Sequence, residues 1–288
     1  MFVELVRTTT PDGIRLDGAL HAPAEVALSP PADLAICLPG VASNFYGSQL
    51  IESLVAPLTQ RGIAALRVNT RGHDSICAVT SHAGRRWQGA AFEIVDECRQ
   101  DLLGWLEWAR DRGYERVLLV GHSLGAIKAL YGLAYEQCST VIGVAALSSP
   151  RLSYTTFRHG FDNDKFFESI ATAEQHFQER RPEALFQAKY PIPLFMTASG
   201  YLDKYGPRER YNFCRFLHRV TQPILFTYGG LELESGAAAF AGLPDVIRAL
   251  PNIEAPVRIE VVPGADHIYS GQQTELGEIL IEWIGSLK

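Results

Sequence analysis

The sequence has no long apolar run, no basic cluster and no closely spaced pair of cysteines. No apolar stretch approaches the roughly 20 residues that a membrane-spanning helix needs, and the first residues lack the basic and apolar regions of a secretory signal. The five cysteines form no C-x-x-C pair, which indicates reduced thiols rather than a disulfide framework. We therefore expect a cytoplasmic protein with no membrane span.

The charge pattern and the missing motifs exclude several further classes of function. The net charge is −6, from 26 basic and 32 acidic residues without a basic run, whereas nucleic-acid binding needs clustered positive charge. No phosphate-binding loop or dinucleotide fingerprint is present. His73, Asp74 and His82 are too loosely arranged to predict a metal site. We expect no cofactor, no metal and no nucleic acid, with a small molecule as the partner; the oligomeric state stays open.

Strand and helix patterns alternate along most of the 288 residues. Strands are predicted at 2–9, 14–22, 34–38, 63–68, 116–120, 141–147, 222–228 and 257–262, and helices at 48–61, 90–112, 126–135 and 237–250, with a last helix ending near 287. Residues 75–89 look irregular. The turn sequence TPDG joins the first two strands into an antiparallel hairpin. The later alternation predicts a mostly parallel, doubly wound α/β sheet with helices on both faces.

The alternation stops between residues 151 and 220. This segment is rich in aromatic and charged residues, and it shows helical patterns at 166–180 and 208–219 but no buried strand. It leaves the sheet after the carboxyl end of a strand, where ligand crevices form in such folds. We therefore expect residues 1–150 and 221–288 to form one core, and 151–220 to form a helical cap inserted into it.

One serine lies in a setting that favours catalysis. Arg116–Val120 reads as a buried strand and Ala126–Tyr135 as a helix, and only Gly121-His-Ser123-Leu-Gly125 separates them. So short a connection requires a sharp turn with Ser123 at its apex, and the two glycines let strand and helix approach closely. The sequence therefore predicts a serine hydroxyl exposed above the sheet edge, beside the N-terminus of a helix.

A G-x-S-x-G turn between a strand and a helix resembles the nucleophile elbow of the α/β-hydrolase family. The resemblance covers residues 2–150 and 222–288; the inserted segment resembles no known pattern. It implies the α/β-hydrolase fold, with Ser123 as the nucleophile.

The resemblance also implies a base and an acid, in the chain order serine, acid, histidine. His267 follows the last strand in the sequence PGADH, where the family places its base; His122 and His73 reach the same edge but do not fit this order. Glu232 follows the strand at 222–228, where many relatives carry Asp. Glu234 is the rival acid, and Asp266 is disfavoured because it adjoins the histidine in sequence.

Two backbone amides are expected to stabilise the oxyanion of the tetrahedral intermediate. By the family pattern, the residue after the nucleophile supplies one donor, which is Leu124. The loop after the strand at 34–38 supplies the other, and its sequence Pro39-Gly40-Val41 stands where relatives carry His-Gly-x. This match assigns the second donor to Val41.

We therefore expect a serine hydrolase that cleaves an ester, thioester or lactone of a partly apolar small molecule through an acyl-enzyme. The apolar part is inferred from the phenylalanines and tyrosines of the predicted cap. Fold alone leaves acyl transfer and amide or carbon–carbon hydrolysis open on the same three residues. A ligand-binding protein that has the fold without catalysis is a further alternative.

Overall fold

A computed structural model describes residues 3–23, 30–82 and 84–287. Its strands, numbered in chain order, are β1 Glu4–Thr9, β2 Arg15–His21, β3 Leu34–Leu38, β4 Ala64–Val68, β5 Cys77–Ser81, β6 Gly84–Gln88, β7 Val117–His122, β8 Val141–Leu147, β9 Leu185–Ala188, β10 Leu194–Thr197, β11 Ile224–Gly229 and β12 Val257–Val262. Its helices are α1 Gln49–Ser53, α2 Val55–Gln60, α3 Cys98–Asp111, α4 Leu124–Tyr135, α5 Tyr154–Phe157, α6 Asn163–Gln178, α7 Ala198–Tyr205, α8 Gly230–Glu234, α9 Leu243–Arg248 and α10 Gln273–Ser286.

Eight strands of the described chain form one sheet in the order β1-β2-β4-β3-β7-β8-β11-β12. β1, β2 and β4 pair antiparallel, and every pairing from β4 to β12 is parallel. This confirms the predicted sheet with its N-terminal hairpin. β3, β4 and β7 are buried along their whole length because helices cover both faces, which explains their continuous apolar sequences.

The two faces of the sheet carry separate apolar cores. On one face α3 and α4 pack over the strands, with Trp105 among the largest buried side chains. On the other face α1, α2 and α10 pack around Trp283. The parallel strands all end at one edge, so the loops that follow β3, β7, β8, β11 and β12 meet there.

Residues 75–89 are not irregular as predicted, because 77–81 and 84–88 pair as an antiparallel hairpin, β5–β6. Each strand has one buried residue, and the other four residues of β6 are exposed, so neither strand has the run of buried apolar residues that marks a core strand. The predicted helix at 90–112 begins only at Cys98. The amides of Ala90 and Ala91 donate to the carbonyls of Asp74 and Ser75 instead of entering a helix.

Two other predicted helices are shorter or broken. The helix at 48–61 divides into α1 and α2 because Pro57 has no N–H to donate to the carbonyl four residues earlier. Of the helix predicted at 237–250, only the part named α9 forms. It starts after Gly242, which adopts a left-handed conformation with φ of +65° and so cannot continue a helix from the N-terminal side.

Between residues 151 and 220, α6 confirms the helix predicted at 166–180, whereas the prediction of a helix at 208–219 is wrong. That stretch forms two short 3-10 turns, Phe213–Arg215 and Leu217–Arg219, whose apolar side chains are buried against α4. The segment also contains a hairpin, β9–β10, and the helix α7, which were not predicted. Each strand of the hairpin has only four residues, too few to show a clear alternating pattern.

A buried ion cluster attaches this segment to helix α4 of the core. The carboxylate of Glu93 lies 2.5 Å from the Lys128 ammonium on α4 and 3.1 Å from the Lys204 ammonium on α7. Burial alone would raise the pKa of Glu93, but the two ammonium groups lower it to about 2. Glu93 therefore stays ionised into acidic pH, and the cluster joins α7 to α4.

Candidate active site

Ser123 occupies a strained turn between β7 and α4. Its φ of +54° and ψ of −121° fall in a region that non-glycine residues rarely adopt. A Cβ atom at Gly125 would lie 2.3 Å from the carbonyl oxygen of Leu38, and one at Gly121 would lie 2.4 Å from that of Gly125. Only glycine fits at either position, so the turn depends on both.

The structure brings His267 and Glu232 to this serine from distant parts of the chain. His267 lies in the loop after β12, with its Nε2 atom 3.0 Å from the Ser123 hydroxyl oxygen. Its Nδ1 atom contacts Oε1 of Glu232, which is buried in the short helix α8 after β11. A carboxylate only accepts hydrogen bonds, so Nδ1 carries the hydrogen and Nε2 is free to accept from the hydroxyl.

The two rival acids lie in other environments. Glu234 is exposed at the end of α8. The carboxylate of Asp266 accepts hydrogen bonds from the amides of Ile268 and Ser270, at 3.0 and 2.9 Å, and so stabilises the loop that carries the histidine. Of the three acids considered, Glu232 is the one whose carboxylate contacts the His267 ring.

A polar network behind Glu232 was missed from the sequence. The buried hydroxyl of Ser148 donates to Oε2 of Glu232 at 2.8 Å, and the amide of Gly229 donates to the same atom at 3.3 Å. The Tyr269 hydroxyl lies 3.1 Å from that of Ser148 and 2.7 Å from that of Thr227. The sequence feature that could have indicated this role is the position of Ser148, which directly follows β8 at the edge where the other loops meet.

We expect Ser148→Ala to lower kcat by about tenfold with little change in KM, because a lost hydrogen bond to a charged group leaves the Glu232 carboxylate less firmly oriented. The measurement is steady-state kinetics on a p-nitrophenyl ester. Ser149→Ala is the matched control: Ser149 is equally buried, but its hydroxyl has no partner in the described chain. Equal losses in the two variants would show that Ser148 does not act through Glu232.

His122 supports the histidine loop. Its Nε2 atom lies 2.8 Å from the backbone carbonyl oxygen of His267, to which it must donate because a carbonyl only accepts. Burial lowers the pKa of His122 to about 4, and the neighbouring His267 ring acts in the same direction. His122 is therefore neutral near pH 7, and it adds no positive charge beside the His267 ring, 4.8 Å away.

The loop after β3 lies against the serine turn. A Cβ atom at Gly40 would lie 3.3 Å from that of Ser123, and Gly40, Val41 and Leu124 all line the same cavity. Leu124 is the first residue of α4, so its amide has no acceptor within the helix. Val41 and Leu124, whose amides are the expected oxyanion donors, therefore line the same cavity as Ser123.

A cavity of about 1340 Å³ opens above Ser123 and His267. Large apolar side chains from the 151–220 segment and from the loop after α8 form part of its lining, here called the apolar wall: Leu152, Phe161, Tyr190, Ile192, Tyr205 and Phe240. The loops around α1 and before α10 also line the cavity, and most of their lining residues are serine, glycine or glutamine. A cavity of this size exceeds the usual range for small ligands, roughly 300–1,000 Å³.

Features of other protein classes are missing from the part of the chain that the structure describes. Within 3–23, 30–82 and 84–287, no three His, Cys, Asp or Glu side chains are grouped to hold a metal ion. None of the helices in those ranges combines the length and apolar character that crossing a bilayer requires. The five cysteines are free thiols, of which Cys37, Cys98 and Cys138 are buried.

Comparison with known proteins identifies the class. The sequence profile of the alpha/beta hydrolase family matches residues 35–278, most of the chain, and the protein belongs to this family. A comparison with curated protein sequences gives no significant match.

Solved structures share the fold over the full length of the chain at low sequence identity. Est1E from Butyrivibrio proteoclasticus, solved with ferulic acid bound, is 17% identical with a TM-score of 0.68, over 98% of this chain and 99% of that one. DcsB in complex with a substrate analogue is 13% identical with a TM-score of 0.72, over 99% of both chains. The esterase domain of a Rhodothermus marinus protein is 18% identical with a TM-score of 0.59, over 98% of both.

Proposed function

We propose that the protein is a serine hydrolase that cleaves a carboxylic ester of a partly apolar small molecule. One observation carries the proposal: the hydroxyl of Ser123, the imidazole of His267 and the carboxylate of Glu232 are in contact, in that order. A serine hydroxyl is a poor nucleophile until a neighbouring base removes its proton, and the base needs a group that fixes its orientation. All three groups are present here.

In the first half of the reaction, the Ser123 oxygen attacks the ester carbonyl carbon while its proton moves to Nε2 of His267. The carbonyl oxygen becomes an oxyanion. The imidazolium then gives this proton to the leaving alcohol, the bond between carbon and that alcohol's oxygen breaks, and an acyl-enzyme remains on Ser123. Glu232 accepts the Nδ1–H throughout and stabilises the imidazolium.

In the second half, water takes the place of the alcohol. His267 accepts a proton from the water as its oxygen attacks the acyl carbon, then returns that proton to Ser123 as the acid leaves. The amides of Val41 and Leu124 stabilise the oxyanion of both tetrahedral intermediates. Removing one such donor typically costs about 10²–10³ in turnover. Because both donors belong to the backbone, substitutions at 41 and 124 act through loop geometry.

We assign residues 151–220 to a cap over this site. Phe161, Tyr190, Ile192 and Tyr205 of the segment line the cavity, so the segment contributes most of its apolar wall. The core is then formed by 1–150 and 221–288. The ferulic acid bound to Est1E supports a substrate with an apolar or aromatic acyl part.

A panel of p-nitrophenyl esters of graded acyl chain length tests this proposal. We expect hydrolysis of at least one ester with kcat/KM in the usual enzymatic range, about 10⁴ M⁻¹s⁻¹ or above, and loss of that activity after treatment with a fluorophosphonate. A folded protein that binds the esters without turning them over would contradict the proposal and favour a non-catalytic ligand-binding role.

A further inference from the structure

We propose that the substrate is uncharged, and that the cavity rejects anionic acyl chains and the coenzyme A esters of the same acids. This inference rests on the proposed ester hydrolysis and narrows the class of its substrate. The same three residues could otherwise act equally well on a neutral ester and on a thioester of a large anionic carrier.

The charges lining the cavity support this proposal. Across the described residues, the lining contains one carboxylate, Asp162, and no lysine or arginine. Its other ionisable groups are the imidazoles of His122 and His267 and the phenols of Tyr190 and Tyr205, and burial raises the pKa of both phenols. Burial keeps His122 neutral, with a pKa of about 4. A substrate anion would therefore leave water without gaining a cationic partner, and it would face the field of Asp162.

The cations that flank the lining residues in sequence do not line the cavity themselves. Lys189 directly precedes Tyr190 but pairs with Glu168, at 2.5 Å. Arg151 stands between Pro150 and Leu152 but is not among the lining residues; its Nε is buried without a hydrogen-bond partner in the described chain.

Lys165 is the cation paired with the cavity's own carboxylate. Its ammonium lies 2.8 Å from Asp162. Both side chains of this pair are about half exposed, so the pair reduces the negative field without making the cavity positive.

The apolar wall extends to the mouth of the cavity. Phe161 is 99% exposed and Ile192 is 43% exposed although both line it, so apolar side chains are present where the cavity meets solvent. A recognition site for an anion would need arginine or lysine there. The lining residues around α1 and before α10 offer hydroxyl and amide groups, among them Gln49 and Gln273, which suit uncharged polar substituents. A neutral ester with a large apolar acyl group matches both parts of the lining.

Two matched substrate pairs test the proposal. The first compares p-nitrophenyl heptanoate with the mono-p-nitrophenyl ester of pimelic acid, which has the same chain length and ends in a carboxylate. The second compares heptanoyl-coenzyme A with the uncharged heptanoyl-N-acetylcysteamine thioester. We expect kcat/KM to be at least tenfold higher for the neutral member of each pair. Equal values, or a preference for the anion, would overturn the proposal.

A variant designed to gain activity on the anionic ester tests the role of charge directly, in addition to the substrate preference of the wild-type protein. Ile192→Lys places a cation at the exposed mouth, with Ile192→Gln as the neutral control. The lysine variant should raise the ratio of kcat/KM for the pimelate ester to kcat/KM for the heptanoate ester at least fivefold above the wild-type ratio, whereas the glutamine variant should leave this ratio nearly unchanged. If the lysine variant does not raise the ratio, or if the glutamine variant raises it equally, the charge of the cavity does not select the substrate. Failure of the proposed function itself would look different, because heptanoate would then not be hydrolysed.

Discussion

Replacing Ser123 with alanine should lower kcat on a p-nitrophenyl ester by about 10⁵-fold, close to the full loss seen when the nucleophile of a serine hydrolase is removed. The residual rate reflects binding and the oxyanion donors alone. The fold should survive, because alanine removes one oxygen from a side chain that lines the cavity. The measurement is kcat from steady-state kinetics, with the thermal unfolding midpoint recorded in parallel.

Ser270→Ala is the control for this result. Ser270 also lines the cavity but lies in the exposed loop before α10, away from the strained turn. Its loss should change kcat by less than about threefold. An alanine variant at 123 that keeps more than a few per cent of wild-type activity would exclude a nucleophilic role for this serine.

The second large effect concerns the acid. Glu232→Gln should lower kcat by about 10³–10⁴-fold, because an amide in place of the carboxylate neither fixes the Nδ1–H tautomer of His267 nor stabilises its positive charge. The substitution preserves size, and Ser148 can still donate to the amide oxygen. KM should change little, since Glu232 is buried behind the histidine and does not line the cavity.

Glu234→Gln is the matched control, two residues further along α8 and exposed. It should retain nearly full activity. The reverse result, with activity lost at 234 and kept at 232, would assign the acid to Glu234 and require α8 to rotate during catalysis. Together the two variants identify which glutamate is the acid, which the spacing of the two glutamates in the sequence does not decide.

Much of the fold follows from local sequence pattern. The parallel strands of the core are continuous apolar runs because both their faces are buried, and this makes β3, β7 and β8 visible without a structure. The turn at Ser123 can also be predicted from local sequence, because a strand and a helix joined by so few residues allow the backbone few conformations. Chain order then placed the expected partners of Ser123 after β11 and β12.

The missed features depend on contacts between distant segments. The β5–β6 hairpin buries only one residue in each strand, so no run of buried apolar residues marks it. The first turn of the predicted helix at 90–112 is lost to hydrogen bonds with the loop after β4. The hydroxyl of Ser148 acquires its role only because β8 and β11 are neighbours in the sheet, which brings it to within 2.8 Å of a carboxylate 84 residues away.

The most direct test of the account is the site at which a fluorophosphonate attaches to the protein. Tryptic digestion and mass spectrometry should place the adduct on residues 117–128, the peptide VLLVGHSLGAIK, with the modification on Ser123. The Ser123→Ala variant should remain unlabelled, and His267→Ala should label at least about 100-fold more slowly because the serine has lost its base. Stoichiometric labelling at another residue, or equal labelling of the Ser123→Ala variant, would contradict the central claim.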